Sequence, residues 1–133
     1  MRELFPSDAC HILSVEALSA PEIRFYLAYS DGVAAGCVAL SLQSDYGEVK
    51  SMFVDDSARG RGIGRILLDH IINEARSEGL GTLKLETGAP LQAALRLYHS
   101  AGFRQCGPFG GYRDHPASLF LECDLTSDSG ANR

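Results

Sequence analysis

The sequence holds no C-x-x-C pair, and no cysteine lies at zinc-ligand spacing from a histidine. That removes the common structural zinc sites and the thioredoxin-like redox pair, and no metal is expected. The four cysteines, Cys10, Cys37, Cys106 and Cys123, stand singly, with Cys37 and Cys123 inside apolar runs. Reduced, mostly buried thiols are expected of them. No charged-then-apolar leader opens the sequence and no apolar run is long enough to cross a bilayer. A cytoplasmic location without a membrane partner is the expectation. Positive charge is also in short supply: 12 Lys and Arg against 17 Asp and Glu leave a formal net charge of -5. An acidic chain argues against nucleic acid as a partner. Internal repeats and low-complexity blocks are absent as well.

What is present is enough for one domain with a real core: 133 residues, 45% of them hydrophobic and 22% charged. Residues 1–125 read as that domain, and the small polar tail 126–133 as disordered. The opening, Met1 to Pro21, is ambiguous: Pro6-Ser7-Asp8 suits a helix start and His11 to Leu18 has loose helical spacing. After it, Ile23 to Tyr29 and Val33 to Leu42 read as strands around an Asp31-Gly32 hairpin turn. Gly36 inside the second strand suggests a bulge or a close backbone approach. Asp45-Tyr46-Gly47 marks a turn into a third strand, Glu48 to Val54. Ile63, Ile66, Leu67, Ile71 and Ala75 then recur at helical spacing, and Gly79 and Gly81 close that helix. Thr82 to Thr87 alternates as a strand. Pro90 to Ala101 is a shorter amphipathic helix with Pro90 in its first turn and Gly102 as its stop. Phe103 to Cys106 and Ser118 to Leu125 complete the order β-β-β-α-β-α-β-β, an α+β or mixed sheet with helices packed on it.

One stretch carries chemistry. After the third strand, Arg59-Gly60-Arg61-Gly62-Ile63-Gly64-Arg65 opens a helix. Glycines let the backbone approach a bulky anion, the free N–H groups of a helix start point at it, and the helix dipole favours negative charge. Arg59, Arg61 and Arg65 add charge-assisted donors. The natural guest is a phosphate or pyrophosphate. It is not held in a Walker loop, which needs Gly-Lys-Ser/Thr. A dinucleotide fingerprint would need glycine at Arg65 and a βαβ unit, where this sequence has a meander.

Arg59-x-x-Gly62-x-Gly64 resembles the (Gln/Arg)-x-x-Gly-x-(Gly/Ala) motif of the GNAT superfamily of acetyltransferases. Leu85-Glu86-Thr87 and Leu97-Tyr98-His99-Ser100-Ala101-Gly102-Phe103 continue the resemblance in the family's order. The tract Glu86-Thr87-Gly88 with Pro108-Phe109-Gly110-Gly111-Tyr112 is similar to one small bacterial branch. The resemblance implies a GNAT-like, mostly antiparallel mixed sheet flanked by helices. It also implies acetyl-CoA as cosubstrate and the primary amine of a small molecule as acceptor. The alternatives are a protein or peptide amine, or an acyl-CoA sensor without catalysis. Two features depart from the family: the region before the first hairpin is short, and Leu91 stands where many relatives carry a cofactor-contacting Asn.

By the same resemblance Met52, Phe53 and Val54 offer backbone groups to the pantetheine arm, and Gly60, Arg61, Gly62, Ile63, Gly64 and Arg65 hold the pyrophosphate with Arg59. Gln92 is a candidate to stand in for the missing Asn. A protonated alkylamine, with a pKa of about 10.4, needs a proton acceptor before it can attack. Glu48 is the first candidate and Glu86 the second. Tyr98 matches the tyrosine that protonates the departing thiolate. No Cys-His arrangement suggests an acyl-enzyme, so direct attack in a ternary complex is expected. The Gly- and Pro-rich loop Cys106 to Ser118 is expected to border the acceptor pocket through Phe109 and Tyr112, with Arg113 a candidate for an acceptor carboxylate. A homodimer contact is the alternative use of that loop.

Overall fold

The computed structural model describes residues 11–15, 22–58, 60, 62–88, 92–113 and 118–126, with the backbone alone described for 11–15 and 57. Among these residues seven strands form one sheet: β1 (His11–Val15), β2 (Ile23–Ser30), β3 (Val33–Leu42), β4 (Gly47–Val54), β5 (Thr82–Gly88), β6 (Arg104–Cys106) and β7 (Ser118–Asp124). Their order across the sheet is β1-β2-β3-β4-β5-β7-β6. Neighbours are antiparallel except β4 and β5, which are parallel and joined through helix α1 (Ile63–Ser77). Helix α2 (Gln92–Ser100) links β5 to β6.

The expectation of helical spacing over His11 to Leu18 is corrected at its first half. His11–Val15 is a strand paired antiparallel to Phe25–Tyr29. The edge of β2 offers a row of unpaired backbone groups, and five residues gain more from that ladder than from one isolated helical turn. Seven residues separate β1 from β2. The tail 127–133, Pro6-Ser7-Asp8 and Pro90 lie outside the described residues.

Elsewhere the local signals hold to within a residue or two. Asp31 and Gly32 both take positive φ, 55° and 80°, the turn whose twist matches a two-residue hairpin. Helix α1 buries Ile63, Leu67, Leu68, Ile71, Ile72 and Ala75 along one stripe, and each fully buried Leu or Ile contributes about 2 kcal/mol relative to exposure. Both helices end alike. At α1 the N–H of Gly79 bonds Arg76 and that of Leu80 bonds Ala75; at α2 Gly102 bonds His99 and Phe103 bonds Tyr98. Gly79 and Gly102 have φ of 80° and 104°, which a residue with a Cβ adopts only under strain.

Both helices lie on one face of the sheet. There Tyr26, Val38, Leu40, Val49, Leu83, Leu85 and Leu121 meet α1, and Leu95, Leu97 and Tyr98 of α2 pack against the same core. The two helices touch at Gly64, where a Cβ would come within 2.9 Å of Leu97 Cδ2. The alternate residues of β4, β5 and β7 point to the opposite, open face, and the chain from Gly107 to Tyr112 folds across it. Phe109 is buried there in an edge-to-face cluster with Tyr46, Tyr112 and Phe120.

Candidate active site

The parallel pairing of β4 and β5 covers Gly47 with Leu83 and Glu48 with Lys84, and then stops, although β4 continues to Val54 and β5 to Gly88. Beyond Glu48 the two strands part, and β4 keeps a strand neighbour only on its β3 side. A bulge in β4 accompanies the parting. Cys37 faces Phe53 while Ala39 faces Lys50, so β4 has one residue more than β3 across this span, and Ser51 takes a φ of 56°. Bulges bend a strand and re-aim its side chains. Glu48 and Lys50 point to the open face before it; Met52 and Val54 pack into the helical core after it, and Phe53 returns to the open face, 56% exposed. Gly36 permits this close approach, because a Cβ there would lie 2.7 Å from the Phe53 carbonyl oxygen and 3.1 Å from Leu67 Cδ1. The expected bulge at Gly36 exists too, as a register shift between β2 and β3.

The helix start that follows fits an anion. Gly60 and Gly62 have φ of 85° and 79°, and nothing lies within 4 Å of a Cβ built on either. The cap residue Gly62 has no side-chain cap. The bond from Ile66 N–H to Gly62 carbonyl oxygen, 3.1 Å, is where α1's ladder begins, so the N–H groups before Ile66 precede it. Arg59 and Arg61 lie outside the described residues. Arg65 is turned along the helix surface, where Nε donates to Asp69 Oδ1 at 2.9 Å and Nη1 to Ser100 Oγ at 3.1 Å. It ties α1 to α2. Gln92 is exposed at the start of α2, and Leu91 lies outside the described residues.

Glu48 sits at the fork, where β4 and β5 separate. It is 5% exposed, a rare state for a carboxylate without partners. Tyr112 Oη donates to its Oε2 at 2.6 Å, and Lys50 Nζ lies 3.6 Å from the same oxygen and donates to Tyr112 Oη at 3.3 Å. The bond to Glu48 holds the Tyr112 phenol above its ordinary pKa. Lys50 is raised as well, first by its bond to Tyr112 and then by the charge of Glu48. Glu86 lies on the same open face, two residues past Lys84, and accepts a bond from Ser118 Oγ at 3.0 Å.

Tyr98 approaches from the other side. It is half-buried on α2, packed on the helical core with its ring 6.0 Å from that of Phe103. Burial raises its pKa, which keeps it a proton donor. Base candidate and acid candidate therefore lie on opposite faces of the sheet.

Glu48, Glu86, Tyr98 and Tyr112 are candidates from the sequence, and the structure adds Lys50 and Tyr46 to the open face around Glu48 and Phe109. Lys50 is two residues from Glu48 in a strand, and that spacing alone signals a shared face. Lys84 also lies here, 3.3 Å from Glu122 and 5.5 Å from the centre of the Phe109 ring. Arg113 is exposed, and His115 lies outside the described residues. Of the described cysteines Cys123 is buried, while Cys37 and Cys106 are half-buried, so the expectation of mostly buried thiols is corrected. Both lie on the open face, which lacks a helical cover among the described residues. No group of three His, Cys, Asp or Glu among the described residues is placed to hold a metal. No described helix is long and apolar enough to cross a membrane. A groove of about 1240 Å³ along α1, beside the end of α2 and the edge formed by β6 and β7, is lined by Arg65, Arg76 and Arg104 and includes neither Glu48 nor Tyr98.

Residues 2–103 match the model of the Acetyltransferase (GNAT) family, and the chain belongs to that family. It is 45% identical over 125 residues to an IAA acetyltransferase of Azospirillum brasilense, covering 92% of this chain and 82% of that protein. A solved putative acyl-CoA N-acyltransferase from Klebsiella pneumoniae superposes with a TM-score of 0.81 at 27% identity, covering 87% of this chain and 97% of the other. A GNAT family acetyltransferase from Elizabethkingia anophelis with acetyl-CoA bound has the same fold, with a TM-score of 0.71 at 20% identity over 86% of this chain and 97% of that one. The chain is thus an acetyl-CoA-dependent N-acetyltransferase.

Proposed function

We propose that this enzyme moves the acetyl group of acetyl-CoA to the primary amine of a small molecule by direct attack in a ternary complex. The observation that carries the reading is the buried Glu48 carboxylate at the fork of β4 and β5, with Tyr98 on the opposite face of the sheet. Acetyl-CoA supplies the thioester; the residues of the chain hold it and move the protons. The N–H groups at the start of α1 hold the pyrophosphate with Arg59 and Arg61, while Arg65, bonded to Asp69 and Ser100, ties α1 to α2. The backbone of Met52, Phe53 and Val54, lacking a β5 partner, binds the pantetheine arm, and an N–H there faces the thioester oxygen. Gln92 at the start of α2 lies beside the arm. Glu48 takes the proton from the acceptor ammonium, directly or through water, and the freed amine forms the C–N bond as the C–S bond breaks. Tyr98 gives its proton to the departing thiolate, and the second proton of the acylated nitrogen leaves through solvent, from which Tyr98 is reprotonated. Glu86 is the second candidate for the base, and Phe109, Tyr112 and Arg113 form the acceptor side.

The test is thiol release from acetyl-CoA by the purified protein across a panel of small amines and N-terminal peptides, beside calorimetric binding of acetyl-CoA. Release that depends on a small amine and exceeds that with peptides is the expected result. Tight binding with no release on any amine defeats the proposal, and release on peptides alone moves the acceptor to proteins.

A further inference from the structure

The open face at the fork carries two lysines in different states. Lys84 is committed: its ammonium is 3.3 Å from Glu122 and stacked over Tyr46 and Phe109. Lys50 is held more loosely: it donates to Tyr112 Oη at 3.3 Å, lies 3.6 Å from Glu48 Oε2 and 5.8 Å from the centre of the Tyr112 ring, and its side chain is 45% exposed. A cation of the protein thus stands beside the carboxylate that the acceptor amine must reach.

This has a physical consequence for the acceptor. A protonated amine approaching Glu48 as a bare cation meets the like charge of Lys50 next to the same oxygen. An amine that carries a carboxylate close by meets the opposite situation. Its ammonium faces Glu48 and its carboxylate faces Lys50, so two antiparallel pairs replace one, and no charge is left unpaired in the partly desolvated fork. The spacing suits this: amine and carboxylate in an α-amino acid are about 3 Å apart, an ordinary hydrogen-bonding separation. Tyr112 fixes which oxygen of Glu48 is spent on the protein. Among the described residues both contacts fall on Oε2, which leaves Oε1 to the incoming amine.

We infer that Lys50 is a specificity-determining residue that selects acceptors bearing a carboxylate next to the reacting amine, with the amine at Glu48 and the carboxylate at Lys50. This rests on the amine-acetylating reading above and names its substrate class. Lys50 acts here instead of Arg113, which sits on the exposed side of the loop.

The experiment compares amino acids with their decarboxylated amines, pair by pair, in wild type and Lys50→Met. Turnover is measured, and binding to the CoA-saturated protein is measured by calorimetry. In wild type the amino acid of a responsive pair is favoured in kcat/KM by about two- to fivefold, the scale of one partly exposed ion pair. Lys50→Met loses use of the amino acid and gains on the decarboxylated amine, a rise that simple structural damage does not produce. Equal use of both members by wild type, or a preference unchanged in Lys50→Met, overturns the inference and leaves the acetyltransfer reading intact. Lys50-dependent binding of the amino acid with no turnover supports the inference and defeats that reading. Failure of both members to bind or react overturns it.

Discussion

The two ends of β4 are built on different principles. At Gly47 and Glu48 the strand is paired on both sides, and Gly47–Val49 are buried. A charge there, Glu48, is fixed by specific partners, Tyr112 and Lys50. At Met52–Val54 the strand has one neighbour, and its side chains merely pack or stand in solvent, while the backbone on the β5 side is free of that strand. The first end positions a side chain; the second presents backbone. The difference teaches where mutations should act. Side-chain changes at the first end alter chemistry, and steric or electrostatic changes near the second alter cofactor binding.

The largest expected effect is at the cofactor end. Gly62→Asp places a carboxylate at the helix start, and Gly62→Asn places a neutral side chain of the same size. Both residues tolerate the φ of 79° better than others do. The Asp variant should weaken acetyl-CoA binding by about 100-fold or more, and the Asn variant by far less. Calorimetry on folded protein checks this; equal affinities for the two would place the pyrophosphate elsewhere.

Next comes the base end. Glu48→Gln should lower kcat by about 100-fold near neutral pH and leave acetyl-CoA affinity unchanged. Glu86→Gln should change the rate much less. A reversed ranking moves the base to β5, outside the network of Tyr112 and Lys50.

Tyr98→Phe should lower kcat by roughly tenfold to 100-fold with cofactor affinity unaltered, since it removes a proton donor and almost no volume. Burial raises the wild-type phenol, so it remains protonated past the ordinary tyrosine value, and any alkaline limb it controls lies above that point. Unchanged turnover makes Tyr98 a packing residue.

The smallest effect joins the two ends. Gly36→Ala forces a methyl against the Phe53 carbonyl oxygen and Leu67. A loss of about 1–3 kcal/mol in stability is expected from overpacking, with weaker acetyl-CoA binding and normal pH dependence. Denaturant unfolding beside calorimetry checks it. A shifted pH profile with intact binding would mean that the bulge orients Glu48 and not the cofactor edge.

Much of this was legible in the residues. The β-branched and aromatic content of Ile23–Tyr29, the alternation of Thr82–Thr87, the Asp31-Gly32 turn and the stripe of α1 are local features, and local sterics decide them. The glycine-rich helix start was legible for the same reason. β1 was not, because His11–Val15 has no strong pattern of its own and becomes a strand by pairing with β2. The extent of the fork and the side-chain shift at Ser51 were also hidden, since a bulge is a mismatch between two strands and no single strand encodes it.

The sequence by itself determined the elements after β1 and the glycine stops of both helices, through periodicities and φ preferences that act over a few residues. Only the tertiary structure decided which charges share a space. Tyr112, 64 residues from Glu48, closes on its carboxylate, and Lys50 joins them because the pleat sets it on the same face. It also committed Arg65 to Asp69 and Ser100 and buried Phe109 among three other rings. Such contacts depend on the closure of long loops and on the desolvation that closure brings, and neither quantity is written in a run of neighbouring residues.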